Sequence, residues 1–200
     1  MEMLEDRALL ATYTVNSTGP GLGGAGETTL IEAIGEANAH PNDSSGPDVI
    51  DFNIPGSGVQ TISLQVALPT ITDPVIIDGT SQPGYEGEPL IDIDGNQLGQ
   101  IAGLVFTMGG NTVKGLDITN FGNFGIVLDG TNDPNHGSGP GLNNIVQSNF
   151  IGTDATGTTA APNDDGGIDL VHSSYNLIGG VNQQGQLVEG NLISGNGQTG

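Results

Sequence analysis

The sequence has almost no basic residues. Two Lys and Arg stand against 23 Asp and Glu in 200 residues, which gives a formal net charge of −21 with His neutral. A nucleic-acid-binding protein needs a basic face to displace counterions from phosphates, and an anionic membrane surface attracts basic segments in the same way. The charge therefore excludes nucleic acid as a partner and disfavours docking on anionic lipid.

Cysteine is absent and aromatic residues are scarce. With no Cys, no Trp and aromatics at 4%, the chain offers neither a disulfide scaffold nor a thiolate metal site, and its core must be aliphatic. No stretch reaches the roughly 18 consecutive apolar residues of a transmembrane helix, so we expect no membrane insertion. Hydrophobic residues at 34% still allow a thin core.

The clearest helix signal lies near the N-terminus. Thr29 and Glu32 have the spacing of a capping box, in which each side chain accepts a bond from the backbone N–H of the other residue. Leu30 and Ile34 then recur on one helical face. The pattern predicts a short helix over about residues 29–40.

Short aliphatic runs between turn-forming residues follow this helix. The runs are too short for helices, and no strand–helix–strand alternation appears. Their aliphatic residues fall into three interleaved series: Val49, Val75, Leu104, Ile126 and Ile168; Ile62, Ile91, Val113, Val146 and Ile178; and Ile118, Ile151 and Ile193. Such a repeat predicts a coil of three short strands that stacks on itself, with each strand parallel to its equivalent one coil on, about 4.8 Å away.

Asparagine and glycine are expected at the corners of these coils. Asn144, Asn149, Asn176 and Asn191 each precede a pair of apolar residues. Both residue types tolerate left-handed backbone conformations, and stacked Asn side chains form hydrogen-bonded ladders. The alternative is a β-sandwich, which predicts strict alternation and two-residue hairpin turns; the consecutive apolar residues 75–77 favour the stacked coils.

These patterns divide the chain into three parts. We expect a leader or targeting-like segment over residues 1–12, a cap with the helix over residues 13–47, and parallel coils over residues 48–200. The helix covers the open edge of the first coil, whereas no cap is visible after the last one, so we expect the coils to continue beyond this sequence. The long polar connections, which we expect outside the aliphatic column, span residues 131–142, 153–166 and 180–189.

Five segments carry a resemblance to a known family. They are the leader L-E-D-R-A-L-L over residues 4–10, the helix motif T-L-I-E-A-I with A-N-A over residues 29–39, V-I-I-D-G-T-S-Q-P-G-Y over residues 75–85, and the repeats over residues 149–157 and 190–196. Together they resemble the N-terminal region of large secreted bacterial right-handed parallel β-helix repeat proteins. In this chain Ile31 stands where the family's helix carries Arg, and the Cys that often precedes the motif is absent.

The resemblance implies fold and location more than activity. It implies an all-β, three-sheet right-handed parallel β-helix, a solenoid with a short N-terminal capping α-helix, and a secreted or cell-surface location in bacteria. Many family members share only the fold of pectate lyases, and a fold does not define a function.

A polysaccharide lyase is the first enzymatic alternative. It needs a basic side chain to abstract a proton, together with Ca²⁺ to acidify that proton. Lys114 is the one Lys or Arg that follows the leader. Because Gln147 stands at the matching place in the next coil, we expect Lys114 at a surface corner.

Glycoside hydrolysis is the second alternative, and it needs two carboxylates about 5 to 9.5 Å apart. The available groups are Asp78, Asp92, Asp94, Asp117, Asp129, Asp164, Asp165 and Asp169. Asp164 and Asp165, with His136 or His172 nearby, are the catalytic candidates because they resemble part of the β-helix polygalacturonase motif. The other parts of that motif are missing.

Calcium is the one cofactor that the sequence accommodates, and no cofactor is required. Asp92 and Asp94 lie in an Asp-x-Asp-Gly segment typical of calcium loops, but a strand with its isoleucines inward and both Asp outward explains the same pattern, and we favour it. Asp164 and Asp165 are the second calcium candidates. His40, His136 and His172 share no ligand spacing.

We therefore expect a non-catalytic extracellular or cell-surface β-helix scaffold or adhesion module. Its partner would be a polysaccharide or cell-surface glycan bound on the loop edges. The alternative is a polysaccharide-degrading enzyme, pectate-lyase-like or polygalacturonase-like, with its cleft near residues 131–142 and 153–166.

Overall fold

The computed structural model describes residues 10–42, 46–131, 143–180 and 189–197. The first nine residues of the expected leader, most of the 131–142 and 180–189 connections, and His136 lie outside these ranges. No helix in the described residues is long and apolar enough to cross a membrane.

The strands form three parallel sheets. Sheet 1 has the order β1 (Thr12–Val15), β2 (Asp48–Phe52), β4 (Val75–Asp78), β7 (Thr112–Lys114), β10 (Ile145–Gln147) and β13 (Leu177–Ile178). Sheet 2 has the order β3 (Gln60–Ser63), β5 (Ile91–Asp94), β8 (Leu116–Thr119), β11 (Phe150–Ile151) and β14 (Leu192–Ile193). Sheet 3 has the order β6 (Leu104–Phe106), β9 (Phe124–Asp129) and β12 (Gly166–Val171).

The chain visits the sheets in a fixed order. From β4 onward it passes through sheet 1, sheet 2 and sheet 3 in turn, and each strand pairs in parallel with its equivalent from the previous passage. We call each such set of three strands a rung; β7, β8 and β9 form one rung, and β10, β11 and β12 the next. The predicted parallel pairing of successive short strands is therefore confirmed.

The assignment of residues to three series is wrong in the early rungs. Val49 and Val75 lie in sheet 1, whereas Leu104 and Ile126, placed in the same series, lie in sheet 3. Similarly, Ile62 and Ile91 lie in sheet 2, but the remaining members of their series lie in sheet 1. The cause is that sheet 3 begins late. In the described residues before β6, only Ile71 occupies the position of this sheet, and it forms a single parallel bridge with Phe106 of β6. The third series is confirmed, because its residues stack in sheet 2.

The inward-facing residues of successive strands form continuous aliphatic columns. In sheet 2, Ile62, Ile93, Ile118 and Ile151 are register partners in sequence, and all four are fully buried. Since neighbouring strands of a sheet lie about 4.8 Å apart, each isoleucine packs directly on the next. The core is therefore built by stacking equivalent positions.

The N-terminal helix forms as predicted and covers the first two strands of sheet 1. α1 spans Leu30–Ala39, and Thr29 Oγ1 accepts from the Glu32 N–H at 3.3 Å while Glu32 Oε2 accepts from the Thr29 N–H at 3.0 Å. Leu30 and Ile34 are buried in the same core as the strands. α1 packs on β1 and β2. The sequence does not predict β1, because its alternating Thr residues lie next to the expected leader.

Stacked asparagines hold the corners between sheets, as the sequence predicts. Asn144 Oδ1 accepts from the side chain and the main-chain N–H of Asn111 at 2.9 and 3.0 Å, and Asn176 Oδ1 accepts from the Asn144 N–H at 3.1 Å. Asn149 and Asn191 repeat the arrangement at a second corner, with Asn149 Nδ2 donating to Asn191 Oδ1 at 3.1 Å. Each Asn thus links one rung to the next.

Candidate functional site

The segment that contains Asp92 and Asp94 is strand β5, and its isoleucines are fully buried. The two aspartates lie on the opposite face, as strand alternation requires. Asp94 Oδ1 accepts from the Asn96 N–H at 3.1 Å and from Asn120 Nδ2 at 3.0 Å. The Asp94 carboxylate therefore closes the turn after β5 with hydrogen bonds.

The other candidate residues lie at opposite ends of strand β12. Asp164 and Asp165 come just before this six-residue strand and His172 just after it. Because a strand of that length rises roughly 20 Å, the structure does not bring His172 to the two carboxylates. His172 Nδ1 instead lies 3.3 Å from Thr131 Oγ1.

No group of three or more His, Asp or Glu side chains in the described residues is placed to hold a metal ion. Calcium takes six to eight oxygen ligands, several of them carboxylate oxygens. Among the described residues, neither Asp92 with Asp94 nor Asp164 with Asp165 therefore belongs to a group of three that could hold a metal ion.

Two carboxyl groups lie side by side on the outer face of sheet 2. Asp92 on β5 and Asp117 on β8 are register partners, so their strands run about 4.8 Å apart. Thr119 Oγ1 donates to Asp92 Oδ1 at 2.9 Å. Asp117 is only 1% exposed, and its Oδ1 has no hydrogen-bond partner among the described residues.

A third carboxylate, Asp154 in the connection after β11, lies near enough to Asp117 for its charge to raise the pKa of Asp117. Asp154 accepts a hydrogen bond from Thr156 Oγ1 at 2.8 Å and from the main-chain N–H groups of Thr159 and Thr158 at 3.1 and 3.2 Å. These bonds lower the pKa of Asp154 to about 2. Asp154 is therefore ionised at neutral pH. We call Asp92, Asp117 and Asp154 the carboxyl cluster.

Burial and charge give the members of the carboxyl cluster different protonation states. Burial, followed by the negative charges of Asp92 and Asp154, raises the pKa of Asp117 to about 8. Burial also raises the pKa of Asp92, which the hydrogen bond from Thr119 partly offsets. At neutral pH Asp117 holds a proton. A protonated Asp117 near the ionised Asp154 is an acid–base arrangement, but the burial of Asp117 keeps it from contact with a substrate.

A polar cleft of about 220 Å³ lies at the corner between sheets 2 and 3. We call it the corner cleft. It is lined by Gly95, Asn96, Gly99, Gln100, Asn120, Gly122, Pro162 and Asp164. Phe121 is buried beneath it, and a Cβ on Gly95 would lie 2.4 Å from the Phe121 ring. The glycine therefore lets the ring pack under the cleft, whose surface consists mainly of amides and backbone with one carboxylate.

Lys114 is held in an ion pair. Its Nζ lies 2.9 Å from Asp78 Oδ2, because Asp78 on β4 and Lys114 on β7 are register partners. Gln147 follows in the same register on β10, which confirms the sequence match between Gln147 and Lys114. A lyase base must be free to take a proton, whereas this ammonium group is already paired with a carboxylate.

Comparison of the chain with protein-family models and with curated proteins finds no match.

Proposed function

We propose that the chain is a right-handed parallel β-helix that serves as an extracellular or cell-surface scaffold and binds a glycan in the corner cleft. Three observations support the solenoid: the fixed order in which the chain visits its sheets, the shared aliphatic columns, and the asparagine ladders at the corners. The resemblance of the leader and helix motifs to secreted repeat proteins supports the location.

The observation that carries the binding proposal is the amide lining of the corner cleft. Asn96, Gln100 and Asn120 supply donors and acceptors for hydroxyl groups. The volume of about 220 Å³ is smaller than the roughly 300–1,000 Å³ of pockets for drug-sized ligands, so one sugar unit of a longer glycan would occupy it. The net charge of −21 favours a neutral sugar over a uronate.

Titration calorimetry with neutral and uronic-acid oligosaccharides tests this proposal. We expect a neutral oligosaccharide to bind, and Gln100→Ala to weaken its binding by about fivefold, the cost of roughly one hydrogen bond. Gln65→Ala is the matched control because Gln65 is exposed and outside the cleft. Absence of binding to every neutral oligosaccharide, or equal weakening by Gln65→Ala, contradicts the proposal.

Polysaccharide degradation is the second candidate, and the carboxyl cluster favours it because a protonated Asp117 lies near the ionised Asp154. Release of reducing ends from polysaccharides, measured with and without Ca²⁺, tests it. Turnover that is abolished by Asp117→Asn, or by Asp164→Asn or Asp165→Asn, would replace the scaffold proposal with an enzyme. We expect no turnover, since Asp117 is only 1% exposed and Lys114 is paired.

A further inference from the structure

One amide of the corner cleft has a fixed orientation. Asn120 Nδ2 donates to Asp94 Oδ1 at 3.0 Å, and the same oxygen accepts from the Asn96 N–H at 3.1 Å. In a side-chain amide the NH₂ group donates and the carbonyl oxygen accepts. Because the NH₂ end of Asn120 is turned to Asp94, its Oδ1 is the end that is left for a ligand. Asn120 therefore offers the cleft a hydrogen-bond acceptor.

The main chain that carries this acceptor is held in place. Asn120 has a φ of 59°, a left-handed conformation that residues other than Gly adopt rarely, and its N–H donates to the Ala161 carbonyl at 3.3 Å. The next residue, Phe121, is buried, and its N–H donates to Asn163 Oδ1 at 3.1 Å. An acceptor that is ordered before binding loses little conformational freedom when a ligand arrives.

Asp164 brings a carboxylate to the same cleft. Its main-chain N–H donates to the Phe121 carbonyl at 2.8 Å, so the residue is anchored to the segment that carries Asn120. Its side chain is exposed and makes no hydrogen bond or ion pair within the described part of the chain. A carboxylate accepts hydrogen bonds and attracts positive charge. The cleft thus holds two acceptors, and one of them is charged.

No basic side chain in the described residues offsets the charge of Asp164. Lys114 is paired with Asp78 in sheet 1, His40 Nδ1 lies 3.1 Å from Asp48 Oδ2, and the described residues that line the cleft include no Lys, Arg or His. The chain as a whole carries a formal charge of −21. A second anion in the cleft is repelled, whereas a cation meets an unpaired carboxylate. The charge therefore favours a positively charged ligand over an uncharged one.

We propose that the corner cleft selects a sugar unit that carries a protonated amino group, with Asp164 paired to the ammonium and Asn120 Oδ1 accepting from a neighbouring hydroxyl. This inference rests on the glycan-binding part of the proposed function and names the class of sugar. An amino sugar combines a positive charge with several hydrogen-bond donors, and a single unit suits the volume of about 220 Å³. Asp164 is then the residue that determines the specificity of the cleft.

Titration calorimetry with three disaccharides tests this selection. The ligands are a glucosamine disaccharide, its N-acetylated form, and a glucose disaccharide with the same linkage. At pH 6 the free amines are protonated, whereas N-acetylation removes the charge and keeps the sugar ring. A salt concentration of about 0.15 M screens exposed charges beyond roughly 8 Å, so the net charge of the chain contributes little to the difference between the ligands.

We expect the glucosamine disaccharide to bind about tenfold more tightly than the other two, the gain from one hydrogen bond between charged groups. Asp164→Asn should bring the three affinities to within about twofold of one another. Asp165→Asn is the matched control, because it removes the same charge from the next residue, which is outside the cleft lining. The control should keep the preference, and thermal unfolding shows that both variants are folded.

Equal affinity of the wild-type chain for the three disaccharides overturns this inference and leaves glycan binding standing. A preference that survives in Asp164→Asn, or that Asp165→Asn abolishes equally, also overturns it, because the attraction then comes from the net charge. Asp164→Ser is a second variant without the charge and must give the same result as Asp164→Asn. If none of the three disaccharides binds, the glycan-binding proposal itself fails, so the two failures are distinguishable.

Discussion

Asp117→Asn should make the protein more stable, and increasingly so as the pH rises. Asn has nearly the same shape as Asp but cannot ionise, so it removes the cost of burying a negative charge beside Asp92 and Asp154. That cost exists because the pKa of Asp117 is raised from 3.8 to about 8 in the folded chain. The stabilisation should appear at neutral pH and be small near pH 4.

The sign and size follow from proton linkage. Since the folded-state pKa lies above the unfolded-state value, the folded chain holds a proton that the unfolded chain releases, and this contribution to stability is complete below pH 3.8 and is lost as the pH rises towards 8. Each pH unit in this window is worth about 1.4 kcal/mol. At pH 7 the wild-type chain has therefore lost about 4 kcal/mol, as an order of magnitude.

Urea unfolding followed by far-UV circular dichroism at pH 5, 6 and 7 measures this effect. The difference in unfolding free energy between Asp117→Asn and wild type should grow by about 1.4 kcal/mol per pH unit. Asp129→Asn is the control: hydrogen bonds from Thr131 lower the pKa of Asp129, so its contribution is constant across this window. If the unfolding free energies of wild type and Asp117→Asn changed equally with pH, the assignment of a protonated, buried Asp117 would be refuted.

Three further predictions concern the corners, the close backbone contacts and calcium. Asn149→Ala should lower the unfolding free energy by about 2–4 kcal/mol, because the fully buried Asn149 accepts from the Leu116 N–H at 3.0 Å and donates to the Val113 carbonyl at 3.0 Å; a loss below 0.5 kcal/mol in urea unfolding would contradict the ladder. Gly79→Ala should cost about 1–3 kcal/mol, since its Cβ would lie 2.2 Å from the Gly115 carbonyl oxygen, whereas Gly35→Ala at an exposed position of α1 should stabilise by about 1 kcal/mol; equal effects in thermal unfolding would show that the close contact is not there. The melting temperature should not change on addition of Ca²⁺ or chelator, and a clear rise with Ca²⁺ would reveal a site that the described residues do not form.

The elements set by local patterns were predictable from the sequence. The capping box at Thr29 and Glu32 needs only contacts within one helical turn, and the ladders at Asn144 and Asn149 follow from a motif that repeats along the chain. A third ladder, in which Asn163 Nδ2 donates to Asn196 Oδ1 at 3.0 Å, is not predicted by the sequence, because Asn163 precedes two aspartates instead of the apolar pair that marks the other corners.

The register of the early strands and the burial of Asp117 depend on distant parts of the chain. Sheet 3 has no strand before β6 in the described residues. A series counted by aliphatic runs therefore passes from a strand of one sheet to a strand of another. Asp117 was one of eight similar carboxylates in the sequence, and its singular environment arises because Asp92 on a neighbouring strand and Asp154 in a later connection lie near it. One signal was available: Asp92 and Asp117 directly precede Ile93 and Ile118, which are register partners.

Successive strands stack in parallel, in one order, along each sheet. The chain has no native Cys, so spin labels at introduced cysteines report single sites. Thr14 and Gln147 lie in the same register column of sheet 1, on β1 and β10, four strand spacings apart.

Double electron–electron resonance between spin labels on the double variant Thr14→Cys/Gln147→Cys tests the stacking most directly. We predict a separation centred near 19 Å between the labelled backbone positions, and near 14 Å for Thr14→Cys/Lys114→Cys, because each strand adds about 4.8 Å. Distances that do not increase from position 114 to position 147 would contradict the stacked parallel sheets and every inference drawn from them.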